Sequence, residues 1–249
     1  MALQVNMEKS KAALQMCLQK KAPGLTPPVI DIIVAMDVSG SFEDEHRSGM
    51  TNDLMTRLVP WGMVFDPDKQ IDFYTFSNGY NVTNVGPVTL NNYEGYIQKN
   101  VIKKVLGWNG GTDYAPVLEK IVDERGLLPK KAGFLERLVG KKSTEPSKKP
   151  IFVWFVTDGE NNDEDATREL LSSLAERKVP IYVQFIGVGN GSERELKRKF
   201  AFIEQLGEEF DNTGFTPILH LNKFLEQTDE ELNETVISEE LIKWISSVK

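Results

Sequence analysis

The stretch Ile30-Asp-Ile-Ile-Val-Ala-Met36 is almost uninterrupted apolar chain, and it runs directly into Asp37-Val-Ser39-Gly-Ser41. A short apolar run without polar alternation is the pattern of a strand covered on both faces. Three further runs read the same way: Ile71–Phe76, Ile151–Val156 and Ile181–Val188. Helical patterns lie between them. Leu54, Leu58, Val59 and Met63 share one face of Asp53–Val64. Val117, Leu118 and Ile121 do so in Tyr114–Val122, as do Leu170, Leu171 and Leu174 in Thr167–Glu176. Strands alternating with helices predict an α/β fold of three layers, a mainly parallel central sheet with helices on both faces. A later strand, Phe215–Leu221, contains Pro217 and is expected at a sheet edge.

Outside this frame, Lys9–Lys20 reads as an amphipathic helix with Ala13, Met16 and Cys17 on one stripe, and Pro23, Pro27 and Pro28 then punctuate the approach to the first strand. Near the other end, Thr228-Asp-Glu-Glu231 is a capping-box start, followed by Leu232, Val236, Leu241 and Trp244. The expected organisation is a helical extension at 1–28, a sheet domain at 29–222 and a C-terminal helix at 223–249 packed on that domain. No segment outside 29–222 has the apolar material for a second core. Residues 125–149 form a basic insertion, with a short helix expected at Phe134–Val139 and a loop from Lys141 onward. A solvated surface segment is the ordinary reading of such a charge run, and a docking patch for an acidic partner is its rival.

Composition narrows the function classes. Twenty-nine Lys and Arg against 37 Asp and Glu give a net charge of −8 over 249 residues, so there is no general attraction to nucleic acid or anionic membrane. A single cysteine, Cys17, excludes an internal disulfide and an all-cysteine zinc site. Only His46 and His220 are present, so no two-histidine metal motif at helical spacing exists. No apolar run approaches the ~18 residues of a membrane span. Asn6, Glu8, Lys9 and Lys11 interrupt the N-terminal segment, which does not read as a signal peptide. The expected compartment is the cytoplasm.

The chemistry concentrates where the first strand ends. Asp37, Ser39 and Ser41 stand at alternate positions, and Gly40 permits the backbone turn that lets them converge. The strand Ile151–Val156 runs into Thr157-Asp158-Gly159, and Gly110-Gly111-Thr112 precedes a helix. Open parallel sheets bind ligands at the carboxyl ends of their strands. Two carboxylates and three hydroxyls, with no imidazole or thiolate, suit a hard divalent cation. Neutral oxygens from Ser39, Ser41 and Thr112 would leave the ion enough charge to recruit one more anionic oxygen from outside.

With those residues quoted, the chain resembles a von Willebrand factor type A domain. The metal-ion-dependent adhesion site of that family has the form Asp-x-Ser-x-Ser, then Thr, then Asp, matched here by Asp37, Ser39, Ser41, Thr112 and Asp158. The resemblance covers about residues 29–222. Leu58–Asp66, Ile71–Phe76, Val88–Tyr96 and Gly110–Pro116 narrow it to the bacterial and phage type found in tellurium-resistance (TerF-like) and stress-response proteins. It implies a Rossmann-like fold and Mg²⁺ as the ion, with Mn²⁺ or Ca²⁺ as alternatives. It also implies a protein partner whose Asp or Glu completes the metal shell. Phe42 stands where bacterial members often have Met.

A metal-dependent hydrolase or phosphotransferase using Asp37 is the alternative reading. Against it, the residue two after Asp37 is Ser39 rather than a second acid, and the sequence fixes neither a lysine nor a general-base histidine near the motif. His46 reads as an exposed helix residue. Asp163 or Asp165 is expected to cap the following helix, and Asp113 to orient the site or cap its own helix. The acidic loop 158–165 has its glycine at the second position rather than the sixth, which excludes an EF-hand. Nucleotide-binding glycine loops are absent.

Overall fold

Strand β1 (Asp31–Asp37) is buried at every position, and its side chains divide by parity between two cores. Ile32, Val34 and Met36 enter one hydrophobic cluster, while Ile33 and Ala35 enter the other. The same division holds in β4 (Ile151–Thr157), where Phe152, Trp154 and Val156 face one side and Ile151, Val153 and Phe155 the other. Two-sided burial is why these strands read as unbroken apolar runs. The computed structural model describes residues 6–129, 146–159, 161–189 and 191–248.

The six-stranded sheet has the order β3-β2-β1-β4-β5-β6. Here β2 is Ile71–Phe76, β3 Val82–Val88, β5 Ile181–Val188 and β6 Thr213–Ile218. All pairings are parallel except β2 with β3. The first face carries α1 (Met7–Lys21), α3 (Met50–Phe65), α4 (Tyr96–Asn100) and the late helices α9 (Leu221–Glu226), α10 (Asp229–Val236) and α11 (Glu239–Ser247). The second face carries α5 (Ala115–Glu124), α6 (Glu164–Glu176), α7 (Glu193–Lys199) and α8 (Ala201–Glu209). This is the three-layer α/β/α arrangement the sequence predicts. Among the described residues no helix is long and apolar enough to cross a membrane.

Several expectations need correction. Strand β3 escapes a sequence reading because it is an antiparallel edge strand with Gly86 and Pro87 inside it. Strand β6 begins at Thr213 and ends at Ile218, so Leu221 starts a helix rather than closing a strand. Its edge position, with Pro217 exposed, is as expected. Helices α7 and α8 lie beyond the helical patterns read from the sequence, although Ser192 and Glu195 form a full capping box at the start of α7. The corresponding box at Thr228 and Glu231 is present as read. The helix and loop expected within 130–145 lie outside the described residues. At the ends of that insertion the Ser147 amide donates to the Gly126 carbonyl at 2.7 Å. Lys149 pairs with Asp31, and Arg125 with Asp72, so the flanking basic residues serve the fold.

His46 lies in the short helix α2 (Glu43–Ser48) and is wholly buried, not exposed. Its Nε2 donates to the backbone carbonyl of Asp37 at 2.8 Å. Nδ1 therefore accepts from the Thr51 hydroxyl of α3 at 2.9 Å. Burial lowers its pKa to about 4, which keeps the ring neutral in that tautomer. The ring packs between Phe42 at 5.0 Å and Trp108 at 5.3 Å. His46 is thus a clip that joins α2, α3 and the end of β1.

Two stability outcomes follow from this packing. Trp61 of α3 is 1% exposed and packs edge-on to Trp154 at 4.8 Å, so Trp61→Ala should cost about 3–5 kcal/mol in chemical denaturation. His46→Ala leaves the Asp37 carbonyl and the Thr51 hydroxyl without their partner and should cost about 2–4 kcal/mol, with unfolding midpoints as the check. A loss below about 0.5 kcal/mol would contradict the clip.

Candidate metal centre

The parallel register puts the ends of β1 and β4 side by side, with Met36 opposite Val156. Asp37 and the Thr157-Asp158-Gly159 turn therefore leave the sheet at neighbouring points. Asp37 is fully buried. Its Oδ1 accepts the Ser39 N–H at 2.7 Å, and its Oδ2 accepts the Thr157 hydroxyl at 2.7 Å. On the Asp158 carboxylate, Oδ1 accepts from Ser41 Oγ at 2.8 Å and, weakly, from Ser39 Oγ at 3.5 Å. The two serine hydroxyls stand 3.3 Å apart.

Thr112 arrives on a loop sewn to the first motif by main-chain bonds. Asn109 N–H donates to the Val38 carbonyl at 2.9 Å, and Gly40 N–H to the Gly110 carbonyl at 3.0 Å. A short parallel bridge joins Ser39 to Gly110. Gly110 must be bare, because a Cβ there would lie 2.5 Å from Asn78 Oδ1 and 3.0 Å from the Gly107 carbonyl. Asn162 then holds the Thr112 carbonyl with both its backbone and side-chain N–H groups, each at 2.9 Å. A Cβ on Gly159 would sit 3.4 Å from Thr112 Oγ1 and 3.9 Å from Ser41 Oγ. That bare glycine keeps open a space bounded by both hydroxyls.

All five sequence-selected residues thus meet at the carboxyl edge of the sheet. Ser39, Thr112 and Asp158 are buried, whereas Ser41 is exposed at the mouth. Burial, with the neighbouring Asp158 charge second, pushes the Asp37 carboxyl up to about 7. Burial likewise raises that of Asp158. Two carboxylates desolvated together favour either a proton or a cation. Oxygen-only side chains beside a buried pair of acids have the donor chemistry that suits a hard divalent ion. Among the described residues no cluster of three His, Cys, Asp or Glu side chains could hold a metal instead.

The surrounding groups differ from expectation in three places. Asp163 caps α5 rather than its own helix: its carboxylate accepts the Tyr114 N–H at 2.9 Å and the Ala115 N–H at 2.8 Å. It thereby ties the Asp158 loop to the Thr112 loop. Asp113 accepts the Gly79 N–H at 2.5 Å and so anchors the β2–β3 turn. Third, a lysine does stand at the site: Lys199 Nζ lies 3.8 Å from Asp158 Oδ2. Sequence reasoning also missed Thr157 and Tyr114, whose hydroxyl donates to the Gly159 carbonyl at 2.6 Å. The Ser192 capping box just after β5 was the available signal for Lys199, since it starts a helix at the same sheet edge.

A family model described as "vWA found in TerF C terminus" matches residues 29–249. YcbR of Bacillus subtilis (strain 168), described as an uncharacterized protein, is 23% identical over 238 residues, covering 94% of this chain and 84% of its own. Two crystal forms of proximal thread matrix protein 1 from the mussel byssus superpose with a TM-score of 0.50, at 20% and 19% identity. They cover 85% and 84% of this chain and 48% of the mussel protein, so this chain spans about half of that protein's length. At such identity the likeness is one of fold. The family match runs from the strand that carries Asp37 through the last helix, and the chain belongs to the vWA-TerF-like family, the von Willebrand factor A domains found at the C terminus of TerF.

Proposed function

We propose that this chain is a divalent-cation-dependent protein-interaction module, holding Mg²⁺, or Mn²⁺ or Ca²⁺, to capture a carboxylate of a protein partner. The observation that carries the reading is the convergence of Asp37, Ser39, Ser41, Thr112 and Asp158 from three separate segments at one edge of the sheet, with the Ser41 and Thr112 hydroxyls bounding a space beside Gly159. Ser39, Ser41 and Thr112 offer neutral hydroxyl oxygens, and Asp37 and Asp158 offer charge directly or through water. When bound, the ion supplies a coordination position that an Asp or Glu from outside can fill. Thr157 and Ser39 fix both Asp37 oxygens in place, so the carboxylate is oriented before any ligand arrives. The family's tellurium-resistance and stress-response setting, in the cytoplasm, is the context this reading favours.

A binding role is favoured over catalysis by the state of the histidine. His46 is engaged on both ring nitrogens and buried, so it has no lone pair to offer as a general base. Lys199 removes one objection to a phosphotransferase reading, yet no second acid stands two residues beyond Asp37.

Thermal unfolding in chelator, then in Mg²⁺, Mn²⁺ and Ca²⁺, tests this directly. An ion at ten times its dissociation constant should stabilise by about 1.4 kcal/mol, a rise on the order of 3–6 °C. Asp37→Ala should abolish the rise. Absence of any rise in the wild-type chain, with millimolar acetate present as the outside carboxylate, would overturn the proposal. Turnover of a generic phosphate ester that disappears in Asp37→Asn would favour the enzyme instead.

A further inference from the structure

Resting on the metal reading above, we infer that Lys199 is a tethered counter-ion for Asp158, which an incoming divalent cation must displace, so that the chain weakens its own metal binding by a built-in competitor. Asp158 divides its two oxygens between different neighbours. Oδ1 accepts from the serine hydroxyls that also belong to the ligand set, and Oδ2 faces the Lys199 ammonium at 3.8 Å. A positive charge therefore already stands against one of the two carboxylates the ion would need.

The position of that lysine is built into the fold. Helix α7 starts at the Ser192–Glu195 capping box, four residues after β5 ends, and closes at Lys199. It lies tightly on the sheet edge because Gly189 has no side chain: a Cβ there would meet Leu196 Cδ2 at 2.5 Å. The Lys199 ammonium also stands 5.7 Å from the centre of the Phe200 ring, a ring that is itself buried. Its side chain is only 34% exposed, against 10% for Asp158. Helix placement and ring contact, rather than the carboxylate alone, put the ammonium there.

The same lysine lines an open cleft of about 630 Å³ together with Ser41, Thr112, Gly159 and Arg198. Arg198 shares that wall but forms no ion pair with Asp158, which makes it the control for a general field effect. Like charges a few ångströms apart in a partly desolvated site repel strongly. The lysine therefore opposes cation entry at the Asp158 carboxylate, while stabilising the site when no cation is bound.

The test is Mn²⁺ binding, read by electron paramagnetic resonance of free Mn²⁺ and by the melting temperature in chelator. Lys199→Met keeps the stem that packs near Phe200 and removes the charge. It should tighten the Mn²⁺ dissociation constant about tenfold, equal to about 1.4 kcal/mol, and lower the melting temperature in chelator. Lys199→Arg should stay within about threefold of wild type, as should Arg198→Met. If Lys199→Met does not fold, Lys199→Gln carries the same expectation. An unchanged or weaker affinity in Lys199→Met, with Asp37-dependent Mn²⁺ binding intact in the wild type, would overturn the counter-ion alone. An absence of Mn²⁺ binding in both the wild type and Lys199→Met would overturn the metal reading and this inference with it.

Discussion

The constraint on which the site depends is the complete burial of the Asp37 carboxylate at the end of a central strand. A buried acid with a second acid nearby is unfavourable as an anion unless hydrogen bonds and a cation compensate it. The chain supplies the hydrogen bonds from two directions, Ser39 N–H and the Thr157 hydroxyl. It fixes the backbone of the same residue through His46. The ends of β1 and β4 and the α2–α3 corner are therefore positioned by one residue. What the chain leaves only partly supplied is positive charge.

That arrangement explains the hydroxyl-rich neighbourhood. More carboxylates would deepen the electrostatic cost, whereas Ser39, Ser41 and Thr112 add oxygens without adding charge. It also explains the loop architecture. Thr112 is far from Asp37 in sequence, yet main-chain bonds from Asn109 and Gly40 make the two loops one surface. Asp163 then caps α5 from the Asp158 loop, so the third segment is tied to the second. The site's loops are held together by main-chain bonds and by the Asp163 and Asn162 side chains, which leaves the candidate ligands free of that task.

The fold was legible where burial was two-sided. Ile151–Val156 and Ile181–Val188 announce themselves because both faces are covered, and Asp37-Val-Ser39-Gly-Ser41 announces the site because a polar cluster follows such a strand. Legibility fell where tertiary contact overrides local pattern. His46 looks like an exposed helix polar residue, and only the Asp37 carbonyl and the Thr51 hydroxyl give it a reason to be buried. Strand β3 has no apolar run because one of its edges is unpaired and Gly86 interrupts it. Lys199 follows Asp158 by more than forty residues, and the Ser192 capping box marks only the start of its helix, not the reach of its ammonium to Asp158. Its role depends on where β5 ends and on Gly189 letting α7 lie close.

Access to the site has a direction, and the charges around the mouth are not those of the molecule at large. Among the five candidate ligands Ser41 is the exposed one, so an outside oxygen must approach past it. Among the described residues, Glu43 and Glu195 are two acids on the site's loops and cleft, and both are already engaged. Glu43 is held by Arg47 and by Asn109, whose amide donates to it at 2.6 Å. Glu195 accepts the Ser192 N–H at 2.7 Å in the capping box. Arg198 and Lys199 face the same cleft. On a chain of net charge −8, two cations thus stand on the wall of the cleft beside the site, with the still-charged Glu195 carboxylate on the same wall. Under the carboxylate-binding proposal, an anionic ligand meets a net negative molecule but positive charge on this cleft wall, which favours discrimination by position over general attraction.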